Sequence, residues 1–274
     1  MGVPATDPSL AATLPDRHVS GAHVLAVRGS TIEERPDTLA GEEPMEIRLD
    51  DRRVATTMRT PGNDFELAVG FCHSEGLLAG HLITEVRYCA TGSAVDTRFN
   101  VVSVDTGGRA PEPTPRLGTT TSSCGVCGAD SIEALTARLV PLPPHHVDFS
   151  TVLAIGTRIE SSQKLFDKTG GVHAAAAFDV GSAEPVVVRE DIGRHNAVDK
   201  VVGRLLLDGL LPASSTGLWV SGRASFEIVQ KAWSAGIGLV VSVSAASSLA
   251  VATAQRANIS LIGFARDGSA CIYE

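Results

Sequence analysis

The sequence predicts an α/β protein with a three-layer α/β/α domain over residues 131–274, a smaller mixed α+β subdomain over 18–120, and a cysteine-bearing loop at 121–130 between them. Two observations predict the large domain. Apolar strands alternate with helix-length amphipathic segments from residue 150 to 265, and the strands read as continuous apolar runs, as buried and largely parallel strands do. A third sets the smaller subdomain apart: between 45 and 107 the pattern is a weakly alternating hairpin, one helix and a returning strand.

Each element has a local reason. Residues 1–17 are rich in Ala, Pro and Thr without periodicity and read as a mobile tail. "MEIRLDDRRVATTMRT" (45–60) alternates around Asp50-Asp51 and reads as a hairpin. "DFELAVGFCHSEGLL" (64–78) reads as a helix with Asp64 as N-cap and Leu67, Phe71 and Leu78 facing the core. "RFNVVSVDTG" (98–107) returns as a strand. Further on, 150–166 is read as one helix, 171–180 and 184–190 as pairing strands, and "RHNAVDKVVGRLLL" (194–207) as an amphipathic helix. Strands at 217–222, 237–245 and 259–265 then alternate with helices at 225–233 and 247–256.

Composition limits function. The chain has 274 residues, 23 Lys plus Arg against 31 Asp plus Glu and a net charge of −8, so no global basic field exists to attract nucleic acid. No apolar run of membrane-spanning length and no secretory signal is evident, which points to the cytoplasm. Five cysteines, few and odd in number, argue for free thiols in a reducing compartment.

The chemistry gathers in a few stretches. "TSSCGVCGAD" (121–130) sets Cys124 and Cys127 three apart in small residues. Structural zinc commonly needs four ligands, and Cys72, Cys89 and Cys271 stand alone with no paired histidines to complete a set, so no structural metal is expected. A thioredoxin-like pair follows a buried strand, whereas a loop precedes Cys124. Asp130 to Glu133 has capping-box spacing, and a helix start there favours thiolate nearby. Gly125 and Gly128 offer no apolar wall, so an accessible nucleophilic pair that can take up sulfur by thiolate attack fits best. Cys72, inside an apolar helix, reads as a core residue.

"REDIGRHNAVDKVVG" (189–203) ends a strand, turns and opens a helix with Arg194, His195, Asn196, Asp199 and Lys200. So many polar groups at one turn read as a binding site. "VSGRASFE" (220–227) and "VSAASSLA" (243–250) are strand-to-helix turns of small residues, with free N–H groups as phosphate sites use and Arg223, Arg256 and Arg266 nearby. Neither carries the glycine fingerprint of a P-loop ATPase or a dinucleotide dehydrogenase.

Together "SSCGVCG", "REDIGRHNAVDKVVG", "SGRASFEIVQKAW" and "ANISLIGFARDGSACIY" resemble the FdhD family of formate dehydrogenase accessory sulfurtransferases over roughly residues 18–274. The resemblance implies that sulfur is accepted from a cysteine desulfurase as a persulfide on Cys124, with Cys127 as its partner thiol. It implies delivery to the molybdenum bis-molybdopterin guanine dinucleotide cofactor that formate dehydrogenase requires. It further implies that Phe264, Ala265, Arg266, Asp267, Gly268 and Ser269 contribute to the guanine dinucleotide site, which agrees with the separate reading of Arg223, Ser244 and His195 at the neighbouring turns as binding residues. A homodimer is implied, as is a C-terminal fold like that of cytidine deaminase. His173 stands where a deaminase carries its H-x-E, but Ala175 replaces the glutamate, so the deaminase acid/base is missing. A non-catalytic chaperone that binds the cofactor or the apoenzyme is the other reading.

Overall fold

The computed structural model describes residues 17–89, 94–112, 133, 135–144 and 147–273. The chain opens with a two-stranded antiparallel ribbon, β1 (Val19–Arg28) and β2 (Thr31–Ala40). Sequence patterning does not reveal it, because much of both strands is exposed and no core face imposes alternation. Arg17, assigned to the tail by sequence, is held beside the ribbon's base by Glu43 and Asn100.

The next sheet has the order β4-β3-β6-β5, from β3 (Glu43–Leu49), β4 (Arg52–Arg59), β5 (Glu85–Tyr88) and β6 (Val101–Asp105). The hairpin turn falls at Asp50-Asp51, both at positive φ. The Asp50 carboxylate accepts from the N–H groups of Thr106 and Gly108 and the Thr106 hydroxyl, pinning the chain beyond β6. Helix α1 (Asp64–Ser74) packs Leu67, Ala68 and Cys72 against Ile47, Val102 and Val104. Its N-cap is Asn63, not Asp64. Asp64 is drawn off by Arg59, which is fully buried and needs a carboxylate; its Nε and Nη2 donate to Asp64 at 3.0 and 2.8 Å. The helix also stops at Ser74, so Leu78 reaches the core from a turn.

The larger sheet has the order β12-β11-β10-β9-β7-β8. Its strands are β7 (His173–Asp179), β8 (Pro185–Asp191), β9 (Thr216–Val220), β10 (Leu239–Ser242), β11 (Ser260–Arg266) and β12 (Ser269–Tyr273). The expectation of largely parallel strands is corrected: only the β9-β10 and β10-β11 pairings are parallel. The short β7-β8 and β11-β12 connections have no room for a crossover helix and impose antiparallel pairing.

Helices α4 (Arg194–Leu207), α5 (Phe226–Ser234) and α6 (Ser248–Ala257) cover one face, with Val198, Val201, Val229 and Ala254 in the shared core. Helix α2 (Phe149–Glu160) covers the other through Val152, Ile155 and Ile159 against Phe178 and Trp219. This gives the α/β/α layering. The single helix expected over 150–166 breaks at Ser161 to Gln163, and α3 (Lys164–Thr169) follows. Glu190 holds the start of α3 by accepting from the N–H groups of Leu165 and Phe166.

Helices α1 and α4 join the two halves, and glycine sets how closely. A Cβ at Gly70 would lie 1.8 Å from the Asp199 carbonyl oxygen, and one at Gly203 would lie 1.8 Å from that of Glu66. Backbone meets backbone there, which no larger residue allows.

Candidate functional site

The parallel strands β9, β10 and β11 end together, and β7, antiparallel to β9, begins at the same end. Ligands of open α/β sheets bind at the carboxyl ends of the strands. This rim brings together His173, the turn Ser221-Gly222-Arg223, the turn from Ser244, the end of β11, and the first turns of α4 and α5. A cleft of about 610 Å³, lined by His73, Leu78, Leu206 and Leu211 among others, lies by contrast at the far ends of α4 and α5.

The turns are knitted to one another. Ser242 Oγ donates to the Gly222 carbonyl at 2.7 Å, Ala224 N–H to Ala245, Ser247 N–H to Ala224, and Phe264 N–H to Ser244. Ser244 N–H donates to Ser242 Oγ, and Ser247 Oγ accepts from Ala250 N–H. The expectation of free N–H groups is therefore corrected at Ala224, Ser244 and Ser247. Small residues at these turns let the turns pack on each other, and the rim's positive charge comes from side chains.

The 189–203 motif divides by direction. Asp191 is wholly buried and sits 2.7 Å from Lys200 Nζ, which also donates to the Thr60 carbonyl. Asp191 further accepts from the N–H groups of Thr60 and Gly193 and from Asn196 Nδ2. Asn196 Nδ2 donates as well to the Met58 carbonyl of β4. These residues bind one half of the chain to the other, which corrects their reading as a ligand site. A desolvated charge survives only with its full set of partners, and the polar cluster supplies them.

His195 and Asp199 share a face of α4, as expected, and both engage α5. His195 Nε2 lies 2.8 Å from Glu227 Oε2 and 3.3 Å from Ser225 Oγ. One turn along, Asp199 accepts from Lys231 Nζ at 2.7 Å. Burial pushes the Asp199 carboxyl up. Burial pulls Lys231 down, but Asp199 and Glu75 more than offset it, so its value is raised.

The 264–269 segment is a strand end and a hairpin tip. Asp267 and Gly268, at φ 52° and 71°, form the two-residue turn that pairs Arg266 with Ser269. An Asp-Gly pair is a strong hairpin signal, and it stood in the sequence unread. Phe264 sits at a register shift with φ 53° and is 39% exposed; Ala265 is buried beneath the sheet against the α2 core. Arg223 and Arg266 are exposed and form no ion pair among the described residues. Cys124, Cys127 and the helix start at Asp130 to Ile132 lie outside the described residues. Cys72 is wholly buried, and burial pushes its thiol far up. Among the described residues no group of three or more His, Cys, Asp or Glu is placed to hold a metal ion, and no helix is long and apolar enough to cross a membrane.

Comparison with known proteins adds to this geometry. Residues 40–274 match the model of the FdhD/NarQ family. The chain is 49% identical over 260 residues to the sulfur carrier protein FdhD of Streptomyces coelicolor, spanning 91% of this chain and 92% of that one. It is 47% identical over 247 residues to the protein of the same name from Mycolicibacterium paratuberculosis, spanning 87% and 90%. A crystal structure from Desulfotalea psychrophila, described as a formate dehydrogenase accessory protein, superposes with a TM-score of 0.75 at 24% identity over 94% of this chain and 97% of that one. At that identity the likeness speaks for the fold.

Proposed function

The chain belongs to the FdhD/NarQ family, and from that premise we propose that Cys124 carries sulfur as a persulfide while the rim of the larger sheet docks the cofactor that receives it. The family's activity is a sulfur relay serving the molybdenum cofactor of formate dehydrogenase. In the uptake step the Cys124 thiolate attacks the outer sulfur of a cysteine desulfurase persulfide. A new sulfur–sulfur bond forms, the donor's bond breaks, and the donor leaves as a thiolate. Cys127 assists release by attacking Cys124 Sγ, so that a Cys124–Cys127 disulfide forms, the persulfide bond breaks and the outer sulfur leaves at the sulfide level. The cargo is the molybdenum bis-molybdopterin guanine dinucleotide cofactor, held through its guanine dinucleotide arm by Arg223, Arg266 and the Ser244 and Phe264–Ser269 segments. His195 sets the spacing of α4 and α5 beneath it.

One observation carries the dock. On a chain of net charge −8, the strand-end rim gathers arginines that have no carboxylate partner among the described residues. Unpaired cations at strand ends suit a polyanionic dinucleotide. The likeness to cytidine deaminase belongs to this proposal too, supported by a β7-β8 hairpin beside three parallel strands separated by helices. Ala175, buried in β7, leaves that layer without a deaminase acid/base. A homodimer working in the cytoplasm completes the reading.

Replacing Cys124 by Ala tests it. The variant is expected to fold, to bind cofactor and to leave formate dehydrogenase inactive in cells that have no other copy of the protein. Full activity with Cys124 and Cys127 both replaced by Ala would overturn the relay and leave a chaperone.

A further inference from the structure

We propose that Arg194 and His173, facing each other across Gly222, form the subsite that grips the phosphates of the docked ligand. This rests on the dock proposed above and gives its phosphates two partners: Arg194 of α4, which the sequence marked only as one polar group of a binding motif, and His173 of β7, which no motif assigned to the dock.

Arg194 opens α4, and its Nε is shut off from solvent with no hydrogen-bond partner among the described residues. The other enclosed cations are paired: Arg59 with Asp64, Lys200 with Asp191, Lys231 with Asp199. Arg194 has no ion pair among the described residues. A desolvated guanidinium N–H without an acceptor is costly, and a ligand oxygen is the group that would relieve it. Among the described residues the neighbouring carboxylates are already engaged. Asp191 is taken up by Lys200, Thr60, Gly193 and Asn196, and Glu227 by His195.

His173 completes the pair. It is partly buried, and no described residue hydrogen-bonds its ring. Burial, then the charges of Arg194 and His195 on α4, hold its pKa below the usual histidine value, while Asp191 on β8 pulls the other way. Between the two side chains a Cβ on Gly222 would stand 3.5 Å from both Arg194 Cδ and His173 Nδ1. Glycine keeps that space open for backbone to meet a ligand closely. A guanidinium fork beside an imidazole matches the several oxygens of a phosphate or diphosphate.

The geometry has a second consequence. An anion seated here favours protonated His173, so binding takes up a proton and tightens as pH falls from 8 to 6.

The test is calorimetry on the full chain with GDP, pyrophosphate and guanosine, at pH 6 and 8, in buffers of different ionisation enthalpy. GDP is expected to bind with proton uptake and to lose tenfold or more in affinity in Arg194→Ala, with Arg194→Lys between. His173→Gln is expected to remove most of the pH dependence. Pyrophosphate binding as tight as that of GDP would identify the phosphates alone as the ligand group; guanosine should bind weakly and be indifferent to Arg194→Ala. GDP bound equally by wild type and Arg194→Ala overturns the subsite and spares the dock. A wild type indifferent to GDP overturns both. Should Arg194→Ala fail to fold, NMR titration of wild-type His173 decides: its pKa must rise when GDP is added, and a constant value overturns the proposal.

Discussion

The seam between the two halves and the rim of the larger sheet are built from the same residue types put to opposite uses. At the seam, Lys200 and Lys231 are buried and each meets a carboxylate within 3 Å, as Arg59 does inside the smaller half. At the rim, Arg194, Arg223 and Arg266 meet none among the described residues. One helix turn separates the two regimes, since Arg194 faces the rim while Asn196 and Lys200 face the seam. The pairing, and not the presence of charge, distinguishes the structural cluster from the proposed docking surface. A buried ion pair adds little net stability over an apolar pair, but it tolerates no loss of one partner.

The comparison can be broken at the seam first. Lys200→Ala leaves Asp191 charged and enclosed, and should cost about 3–5 kcal/mol in urea unfolding. A cost under about 1 kcal/mol, the range of exposed pairs, would mean that seam and rim do not differ as described. Gly203→Ala comes next. Its methyl group must push α1 from α4, and the strain of an overpacked core is about 1–3 kcal/mol. Retained stability would show that the crossing can relax. The smallest effect sharpens the contrast: Arg223→Ala should change unfolding free energy by no more than about 0.5 kcal/mol while weakening GDP binding several-fold. A large stability loss there would move Arg223 from rim to seam.

Much of the large domain was legible because buried strands and amphipathic helices carry their periods in the sequence. The helix over Arg194–Leu207 matches its expected bounds, and the Asp50-Asp51 hairpin stands where alternation put it. The ribbon Val19–Ala40 was not legible, because neither strand buries a residue in a core that would impress a strong hydrophobic pattern on it. Asp64 looked like an N-cap because nothing local reveals that Arg59, five residues back, is buried and claims it. The 189–203 motif was found as polar and important, but its division between seam and rim depends on Thr57, Met58 and Thr60, more than a hundred residues away. Arg194 was visible in the motif as a charge. Its lack of a partner is a property of three dimensions.

Cys72, enclosed between α1 and its sheet, makes the protein its own gauge of intactness. A thiol with no solvent contact and a strongly raised pKa stays silent to an alkylating reagent until α1 leaves its place. The rate at which Cys72 becomes labelled is therefore a clock for the opening of the core beneath α1. Run beside any measurement of sulfur on the proposed relay cysteines, that clock separates a chain without sulfur from one that has lost its fold.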